Sequence, residues 1–350
     1  MSLLKDGKFA KRRVFNMTLL SLCIPTYNRS HFLDECLASL FSQENEMLAD
    51  SIEICVSDNH SEDDTERVVE KWKRRGTLKI TYYRHDKNMG ADINFLKVIE
   101  IASGEYCWFV GSDDHIAPGA VRSFLEAVDH YHADIYIVRK QNYDVLMKSK
   151  RLTPDPVQNV PDSLININDH NKDCCAVLSA LGYIGALAFK RTIWIDAVSD
   201  QEYLRFVGSA YVHVYAIQRM IRRGSTVFCL KDVFIHWRSE NDSILQEQKA
   251  FGRFQIEINY CLITETLFKK RSPESRFVAN FIIRNNMSPM LFEFKMQGAV
   301  SLKFLNLAFR HLGSRKNFYI WLLPVFLIPQ PLLVWIKTLY RLTIKRFVRV

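Results

Sequence analysis

The first 140 residues alternate between short apolar runs and segments whose apolar side chains recur at helical spacing. Runs of strand length occur at 19–24, 52–57, 78–83, 106–110 and 135–138. Helical spacing occurs between them, at 32–41, 68–72, 94–102 and 118–130. Ser61 followed by Asp64 predicts a capping box for the second helix. Short strands joined through helices predict an α/β fold with a mostly parallel central sheet and helices on both faces.

The rest of the chain carries a weaker pattern. Residues 141–172 are polar, contain three prolines and predict an irregular connection. Further elements are expected as a strand at 183–189, a helix at 211–223, a strand at 225–235 and helices from about residue 248. We therefore predict three regions: an α/β domain over 17–245, a helical extension over 246–313 and a basic apolar tail over 314–350.

Charge is distributed unevenly along the chain. The formal net charge is +9, yet the residues after Glu293 contain ten Lys or Arg and no Asp or Glu, so the first 293 residues sum to −1 (+9 minus +10). Within this basic region, residues 318–336 are nineteen uncharged positions that include three prolines. This combination favours a segment that lies on, or dips into, an anionic membrane surface, with a membrane span or a buried helical hairpin as alternatives. Nucleic acid is not expected as a partner, because the charge lies outside the α/β domain.

The cysteines and the N-terminal segment indicate the cellular compartment in which the protein is expected. Eight cysteines without a C-x-x-C pair lie mostly in apolar runs, which predicts buried thiols in a reducing environment. An apolar stretch of signal-peptide length does not precede the first strand. We predict a peripheral or monotopic protein at the cytoplasmic face of the inner (plasma) membrane.

Two adjacent carboxylates, Asp113 and Asp114, follow the fourth predicted strand. Burying two like charges together is costly unless a cation compensates them. Mg²⁺ and Mn²⁺ take one or two carboxylates and complete their shell with phosphate and water. The pair therefore predicts a Mn²⁺ or Mg²⁺ site that holds a diphosphate, with a helix cap ahead of Pro118 as the alternative.

Polar residues also end the first two predicted strands. Asp58 ends the second, where a carboxylate can accept a hydrogen bond from a nucleobase, although an ordinary turn residue is the alternative. The first strand ends in Pro25, Thr26 and Tyr27. Pro25 fixes the exit angle of the chain, Thr26 offers a hydroxyl, and Tyr27 can pack on a base or sugar. An ordinary βα turn is again the alternative.

The loop after the third predicted strand contains Arg84, Asn88 and Gly90. Gly90 permits close approach of the backbone, and the N-terminus of the following helix favours phosphate. Since ligands of such sheets bind at the carboxyl ends of the strands, the four loops together predict one nucleotide site.

These motifs carry a family resemblance. The runs Leu-Cys-Ile-Pro-Thr-Tyr-Asn-Arg (22–29), Val-Ser-Asp-Asn (56–59), Asp-Asp-Thr (63–65), Asn-Met-Gly (88–90) and Gly-Glu-Tyr (104–106), leading to Asp113-Asp114, resemble the family 2 glycosyltransferases of GT-A fold over residues 18–140. The Gly-Ser-Asp-Asp form of residues 111–114 is most similar to the abequosyltransferase-type enzymes of O-antigen and surface-polysaccharide assembly.

The resemblance implies an inverting transfer of a sugar from a nucleotide-sugar donor to an acceptor hydroxyl. It assigns Thr26 and Asp58 to the nucleoside, Asp113 to the ribose or sugar, and Asp114 to the metal ion, Mn²⁺ or Mg²⁺. The full set of predicted donor-binding residues is Pro25, Thr26, Tyr27, Arg29, Asp58, Arg84, Asn88, Gly90, Ser112, Asp113 and Arg238. From the basic apolar tail we predict a polyprenyl-diphosphate-linked saccharide as acceptor.

The downstream half departs from the family pattern. Counting back from Gly224 places Val212 and His213 where many members have an acidic pair. His213 is therefore the predicted general base, with a helix histidine beside Tyr211 and Tyr215 as the alternative. Asp200 and Glu202 are the fallback carboxylates.

Two further residues are assigned near the end of the last predicted strand. His236 is a predicted metal or diphosphate ligand, with a buried strand-end histidine as alternative. Arg238 is predicted to bind phosphate from a mobile loop over 237–243. Two other functions stay open: a non-catalytic nucleotide-sugar-binding protein on the same fold, and a nucleotidyltransferase.

Overall fold

The computed structural model describes residues 18–43, 50–151, 172–239 and 243–334, together with residues 157, 160, 164, 165 and 241. Within these residues the chain forms one sheet of nine strands. The strands are β1 (Leu20–Thr26), β2 (Ile52–Asp58), β3 (Lys79–Arg84), β4 (Tyr106–Phe109), β5 (His115–Ile116), β6 (Ile135–Tyr143), β7 (Lys150–Arg151), β8 (Leu187–Lys190) and β9 (Val227–Arg238). Their spatial order is β3-β2-β1-β4-β8-β6-β9-β5, and β7 pairs with β6 beside this path.

One half of the sheet, formed by β3, β2, β1 and β4, is entirely parallel. Every residue of β1 and β2 is buried, as expected for parallel strands covered on both faces. The register pairs Thr26 with Asp58 at the carboxyl ends of these strands. The strands predicted at 19–24 and 52–57 are therefore confirmed, and their polar last residues lie side by side.

The other half is mixed. β8 runs antiparallel to β4 and β6, while β9 is parallel to β6 and antiparallel to β5. The strand predicted at 183–189 is wrong in its first half, where a 3₁₀ turn over Ile184–Ala186 precedes β8. β9 continues beyond its predicted end because it pairs with β6 as far as Tyr143 opposite Arg238. Trp237 and Arg238 are therefore strand residues, and the predicted mobile loop is wrong at these two positions.

Helices cover both faces of the sheet, as the alternation of the sequence predicts. In chain order they are α1 (Ser30–Phe41), α2 (Thr65–Lys73), α3 (Ala91–Glu100), α4 (Ala120–Tyr131), α5 (Lys172–Ala180), α6 (Arg191–Ala197) and α7 (Val212–Arg222). Leu22 and Ile24 share one core with α1, α2 and α4, whereas Cys23 shares a second core with α3 and α7. This division follows from the alternation of side chains along β1. All eight cysteines are buried free thiols, which confirms their predicted burial.

The C-terminal part is helical, as predicted from about residue 248. It contains α8 (Ser243–Phe268, kinked at Lys249), α9 (Pro273–Phe281), a π-helical segment (Ile282–Met287), α10 (Ser288–Met296), α11 (Leu302–Leu312), a second π-helical segment (Phe318–Leu322) and α12 (Leu323–Leu327). Side chains from these elements continue the core that contains α3 and α7. The predicted boundary at residues 245 and 246 thus lies within α8.

The uncharged segment 318–336 is described as far as residue 334, and it does not form one straight helix. The second π-helical segment continues into α12, which ends at Leu327, and after Ile328 and Pro329 a further helical turn follows over 330–334. In the described part of the chain, no helix combines the length and the apolar character that crossing a bilayer requires. The basic residues predicted to contact a membrane beyond residue 334 lie outside the described residues.

Candidate active site

The end of β1 presents a buried hydroxyl. Thr26 is 2% exposed, and its Oγ1 has no hydrogen-bond partner among the described residues. Its carbonyl oxygen accepts hydrogen bonds from the N–H of Asn59 (2.9 Å) and the side-chain amide of Asn94 (3.2 Å), which hold the strand end in place. A buried hydroxyl without a partner costs free energy, so Thr26 is suited to a ligand contact. Pro25 is buried before it, and Tyr27 is half-buried after it.

Asp58, at the end of β2, is fully buried and held by several donors. Its Oδ1 accepts hydrogen bonds from the N–H (2.8 Å) and the hydroxyl (2.6 Å) of Ser61. Its Oδ2 accepts one from the hydroxyl of Tyr82 (2.8 Å) and lies 3.7 Å from Nε of Arg84. Arg84 also donates from Nη2 to the carbonyl of Ser61 (2.9 Å). The protein itself therefore compensates this carboxylate.

The beginning of α2 differs from the sequence prediction. The capping box predicted from Ser61 and Asp64 is wrong, because the Ser61 hydroxyl binds Asp58 and Asp64 makes no side-chain cap bond. Asp63 takes over, since its Oδ1 accepts a hydrogen bond from the N–H of Thr65 at 3.1 Å. The Ser61 hydroxyl donates to the buried Asp58 carboxylate, and for this reason it does not cap α2.

The loop after β3 is organised by two asparagines. Oδ1 of Asn88 accepts hydrogen bonds from the side-chain amide of Asn59 (2.8 Å) and the N–H of Gly90 (2.9 Å). Asn59 in turn accepts one from the N–H of Met89 (2.8 Å). Gly90 precedes α3 with a φ of 84°, a conformation that favours glycine, and α3 begins without a side-chain cap bond. The predicted phosphate contacts of Asn88 and Gly90 stay predictions.

Asp113 joins the end of β4 to the loop after β1. Its Oδ2 lies 2.8 Å from Nη1 of Arg29 and accepts a hydrogen bond from the side-chain amide of Asn241 (2.8 Å). The neighbouring Ser112 is buried in the same turn. The N–H of Asn28, beside Arg29, donates to the Ser61 hydroxyl at 2.8 Å. Three strand ends are thereby connected into one site.

Asp114 lies deeper than Asp113 and is 1% exposed. Its Oδ2 accepts a hydrogen bond from the hydroxyl of Tyr183, and its Oδ1 accepts one from the N–H of Arg238 (2.9 Å). A Cβ at Gly111 would collide with Oδ2, so the turn requires glycine at that position. Burial, reinforced by the negative charge of Asp113, raises the pKa of Asp114 to about 8 against the effect of both hydrogen bonds. The surrounding residues therefore compensate this carboxylate only in part.

A divalent cation fits this pair of carboxylates by its chemistry. Carboxylate oxygens keep acceptor capacity beyond the bonds that Asp113 and Asp114 make. Among the described residues no group of three or more His, Cys, Asp or Glu side chains could hold a metal ion. A cation here would therefore complete its shell with diphosphate oxygens and water, as Mn²⁺ and Mg²⁺ commonly do.

His236, the other predicted metal ligand, lies opposite His115 where β9 pairs with β5. Its ring centroid is 4.9 Å from that of Tyr143. Burial, with the charges of His115 and Lys150, lowers the pKa of His236. Its role as a metal ligand stays a prediction.

Arg238 has a different position from the one the sequence predicts. It is 4% exposed, and its Nε donates to the carbonyl of Asp113 at 2.8 Å. Its guanidinium also binds Glu35 of α1 and lies 4.7 Å from the ring centroid of Phe32. Together with its N–H bond to Asp114, these contacts fix the carboxylate turn against α1. Its predicted contact with phosphate stays a prediction.

His213 lies in the interior at the first turn of α7 and is 1% exposed. Its ring centroid is 5.3 Å from Phe95 and 5.6 Å from Tyr211. Burial lowers the pKa of His213 to about 3. A general base must come within hydrogen-bond reach of the proton it removes, which a ring enclosed in this way does not favour. The surroundings favour the alternative of a helix histidine packed beside aromatic rings.

Asp92 of α3 holds the loop that leads into α7, a role the sequence did not indicate. Its Oδ2 accepts hydrogen bonds from the N–H groups of Gly208 (2.7 Å) and Ala210 (2.8 Å), and its Oδ1 accepts one from Val212 (2.9 Å). Its nearest donor among these is 116 residues away in the chain, so no local pattern could have revealed it. The fallback carboxylate Asp200 is paired with Arg219 on α7.

Comparison with known proteins places this arrangement among sugar transferases. The family model described as Glycosyl transferase family 2 matches residues 21–181. The abequosyltransferase RfbV of Salmonella typhimurium is 31% identical over 275 residues, which cover 76% of this chain and 80% of that protein. A Campylobacter jejuni protein, GalNAc(5)-diNAcBac-PP-undecaprenol beta-1,3-glucosyltransferase, is 28% identical over 120 residues, 34% of this chain and 38% of that one.

A solved structure gives the same fold. The crystal structure of Staphylococcus aureus TarS 1-349 in complex with UDP superposes with a TM-score of 0.61 at 17% identity, covering 92% of this chain and 87% of that one. The GT-A fold expected from the sequence motifs is thereby confirmed.

Proposed function

The chain belongs to glycosyl transferase family 2 and is a glycosyltransferase, and from this premise we propose an inverting transfer of a sugar from a nucleotide-diphosphate donor to a lipid-linked saccharide in surface-polysaccharide synthesis. The TarS structure holds UDP, which supports a nucleotide-sugar donor here. The observation that carries the proposal is the joined set of carboxylates at the ends of β2 and β4.

In this reaction the chain has three tasks. Thr26 and Asp58 contact the nucleoside at the ends of β1 and β2, and the N-terminus of α3 favours the diphosphate. Asp113 orients the donor sugar or ribose, while Asp114 would hold Mn²⁺ or Mg²⁺. Such a cation, when bound, supplies positive charge to the departing diphosphate.

The bond changes balance without a further reactant. The acceptor oxygen forms a bond to the anomeric carbon, and the bond from that carbon to the diphosphate oxygen breaks. The nucleoside diphosphate leaves with the bonding electron pair, and the acceptor proton passes to a base. Backside attack inverts the anomeric carbon.

Product analysis tests the proposal. The purified protein is incubated with a panel of nucleotide sugars, Mn²⁺ and a membrane lipid extract, and the released nucleotide and labelled lipid are measured. We expect a nucleoside diphosphate as product and, for Asp114→Asn, a loss of about 10³-fold in rate, because charge stabilisation at the leaving group is removed. Asp232→Asn, at an exposed position of β9, serves as the matched control.

Other products would contradict the proposal. Pyrophosphate released from a nucleoside triphosphate would identify a nucleotidyltransferase. Nucleotide-sugar binding without turnover on any acceptor would identify a non-catalytic binding protein. Full activity of Asp114→Asn would show that Asp114 is not the metal ligand.

The C-terminal surface supports a lipid-linked acceptor. Leu302 (76%), Phe309 (58%) and Leu327 (68%) are large apolar side chains with high exposure, and Lys303 and Arg310 directly follow Leu302 and Phe309 in the sequence. An exposed apolar surface with basic neighbours suits an anionic lipid surface. The name of the Campylobacter jejuni relative places its acceptor on PP-undecaprenol. We therefore propose peripheral docking at the cytoplasmic membrane face through this surface.

Surface substitution is the appropriate test, because truncation at residue 314 would remove the fully buried core residues Phe318 and Leu322. The triple variant Leu302→Gln, Phe309→Gln and Leu327→Gln should lose at least about 10²-fold in partitioning to phosphatidylglycerol vesicles by co-sedimentation, since each apolar side chain buried in the membrane contributes about 1–2 kcal/mol and about 1.4 kcal/mol is tenfold. The control is Leu146→Gln, an equally exposed leucine outside this surface (66%). Unchanged partitioning of the triple variant would contradict the docking surface.

A further inference from the structure

Tyr183 lies beside the carboxylate turn (residues 111–114), although 69 residues separate it from Asp114 in the chain. The antiparallel pairing of β4 with β8 brings the two together. Trp108 of β4 donates from Nε1 to the carbonyl of Gly185 (3.0 Å), in the 3₁₀ turn that leads into β8. The backbone beside Tyr183 is therefore fixed relative to β4, the strand that precedes the carboxylate turn.

Two glycines beside Tyr183 differ in the room that they leave for its side chain. A Cβ at Gly185 would come within 2.5 Å of the Tyr183 hydroxyl, so the glycine leaves space for that group. A Cβ at Gly182 would meet its neighbours at ordinary contact distances of 3.4 Å or more. On its other side the ring of Tyr183 packs against Trp237 of β9, with the centroids 5.8 Å apart. The position of the hydroxyl is thus set by the turn and by β9.

The carboxylate of Asp114 receives one donor on each oxygen. The Tyr183 hydroxyl donates to Oδ2, and the backbone N–H of Arg238 donates to Oδ1 (2.9 Å). Because the two donors belong to different elements, together they fix the rotation of the carboxylate group. A carboxylate oxygen has about two acceptor positions, so each oxygen keeps one for a further partner. Contacts of this kind orient metal ligands, and their loss typically weakens metal binding or activity by about 10–100-fold.

We propose that Tyr183 is a positioning residue of the transfer reaction, and that its hydroxyl holds the Asp114 carboxylate in the orientation that binds the divalent cation. This inference rests on the proposed function and adds to it a residue outside the strand-end motifs. Tyr183 acts through Asp114, whereas the nucleoside contacts are assigned to Thr26 and Asp58 on other strands. Loss of the hydroxyl should therefore weaken nucleotide binding only when a cation is present.

Equilibrium binding with and without a cation tests the inference, and it does not require turnover. The probe is whichever of UDP, CDP, GDP and dTDP the unmodified protein binds most tightly in calorimetric titrations. The quantity compared is the manganese factor, by which Mn²⁺ tightens binding of this probe relative to EDTA. Tyr183→Phe keeps the ring and removes only the hydroxyl, so the manganese factor should fall about tenfold. The affinity in EDTA should change less than about twofold, because the nucleoside contacts are independent of Tyr183.

Gly185→Ala tests the same hydroxyl from the neighbouring turn and guards against a folding defect in the first variant. The added methyl group would displace the Tyr183 hydroxyl, so the manganese factor should again fall by about tenfold. Gly182→Ala, whose methyl group meets only ordinary contacts, is the matched control and should stay within about twofold of the unmodified protein. Tyr136→Phe is a second control, because it removes a buried hydroxyl that donates to the carbonyl of Ala127 (3.3 Å).

The outcomes separate this inference from the proposed function. An unchanged manganese factor in Tyr183→Phe, or an equal fall in Tyr136→Phe, would overturn the positioning role. Binding that weakens equally in Mn²⁺ and in EDTA would overturn it as well, since that result indicates a general structural role. If Mn²⁺ did not tighten binding to the unmodified protein, the inference would fall together with the assignment of Asp114. Absence of transfer from every nucleotide sugar, with the manganese factor falling as expected, would overturn the proposed function while the role of Tyr183 in cation binding would stand.

Discussion

Two buried carboxylates, Asp58 and Asp114, end neighbouring parts of the same sheet, and the protein treats them differently. Asp58 accepts hydrogen bonds from Ser61 and Tyr82 and has Arg84 close by. Asp114 accepts only two hydrogen bonds among the described residues, and the charge of Asp113 lies next to it. The fold compensates the first carboxylate with its own donors, whereas it compensates the second only in part.

Asp114→Asn should have opposite effects on activity and stability. A pKa raised to about 8 means that between pH 4 and 8 the folded state binds more protons than the unfolded state, so stability decreases as pH rises through this window. Removing the charge should reduce the rate of transfer by about 10³-fold. It should also raise the free energy of unfolding at pH 8 by about 1–3 kcal/mol, since one pKa unit corresponds to about 1.4 kcal/mol. Denaturant unfolding at pH 5 and pH 8 measures the second effect. Equal stability changes at both pH values would show that Asp114 is not an undercompensated carboxylate.

Gly111→Ala should damage the same turn without removing a charge. The added methyl group would collide with the Asp114 carboxylate, so the turn must shift and misplace it. We expect about 10²-fold lower transfer, because small displacements of catalytic groups are costly, and a loss of about 1–3 kcal/mol in stability. Gly119→Ala is a contrasting variant, since the space there is open and only its φ of 78° opposes the substitution. Equal transfer rates for Gly111→Ala and the unmodified protein would contradict the close packing of the turn.

Asp58→Asn should lower stability, in contrast to the substitution at Asp114. The amide cannot accept all the hydrogen bonds that Ser61 and Tyr82 donate to the carboxylate. A loss of about 2–3 kcal/mol in the free energy of unfolding is expected, because a buried donor is left unsatisfied. Thermal unfolding with and without UDP and Mn²⁺ also reports the loss of nucleotide binding. If Asp58→Asn were more stable than the unmodified protein, the carboxylate of Asp58 would be as poorly compensated as that of Asp114.

His213→Leu tests a buried group that lies away from both carboxylates. The folded-state pKa of about 3 lies below the usual value, so the folded state binds fewer protons than the unfolded state between pH 3 and 6.5, and stability is lost as pH falls through this window. The variant should therefore be less sensitive to acid, by up to about 2 kcal/mol at pH 5. Transfer should change less than about tenfold, the smallest of these activity effects. A loss above about 10²-fold in a folded variant would restore His213 as the general base.

The sequence patterns indicated the residues at the strand ends but not the contacts that support them. The strand-end residues from Thr26 to Asp114 could be found because each follows directly on an apolar run, and parallel strands bring such positions to one edge. Tyr183 could not be found in this way, since it lies 69 residues from Asp114, its hydrogen-bond partner. The same holds for Asp92, whose donors come from the loop before α7. Pairing across such distances leaves no periodic signal in the chain.

Arg238 on β9 and His213 on α7 lie in surroundings that differ from those the sequence indicated. Arg238 stands in a polar stretch that resembles a loop, yet β6 extends to Tyr143 and pairs with it. His213 stands where the family motif places a carboxylate, yet its helix turns it into the core beside Phe95. In both cases the neighbouring element, and not the local sequence, decides which way the side chain faces.

The sequence by itself determined the α/β order, the motifs of the family and the identity of the carboxylates at the strand ends, because hydrophobic period and residue spacing are local properties. Only the tertiary structure decided which of those carboxylates the protein compensates with its own donors, and that the Tyr183 hydroxyl reaches Asp114. The physical reason is that burial and the charge of a site depend on what distant segments contribute, as Arg238 and Tyr183 contribute to Asp114.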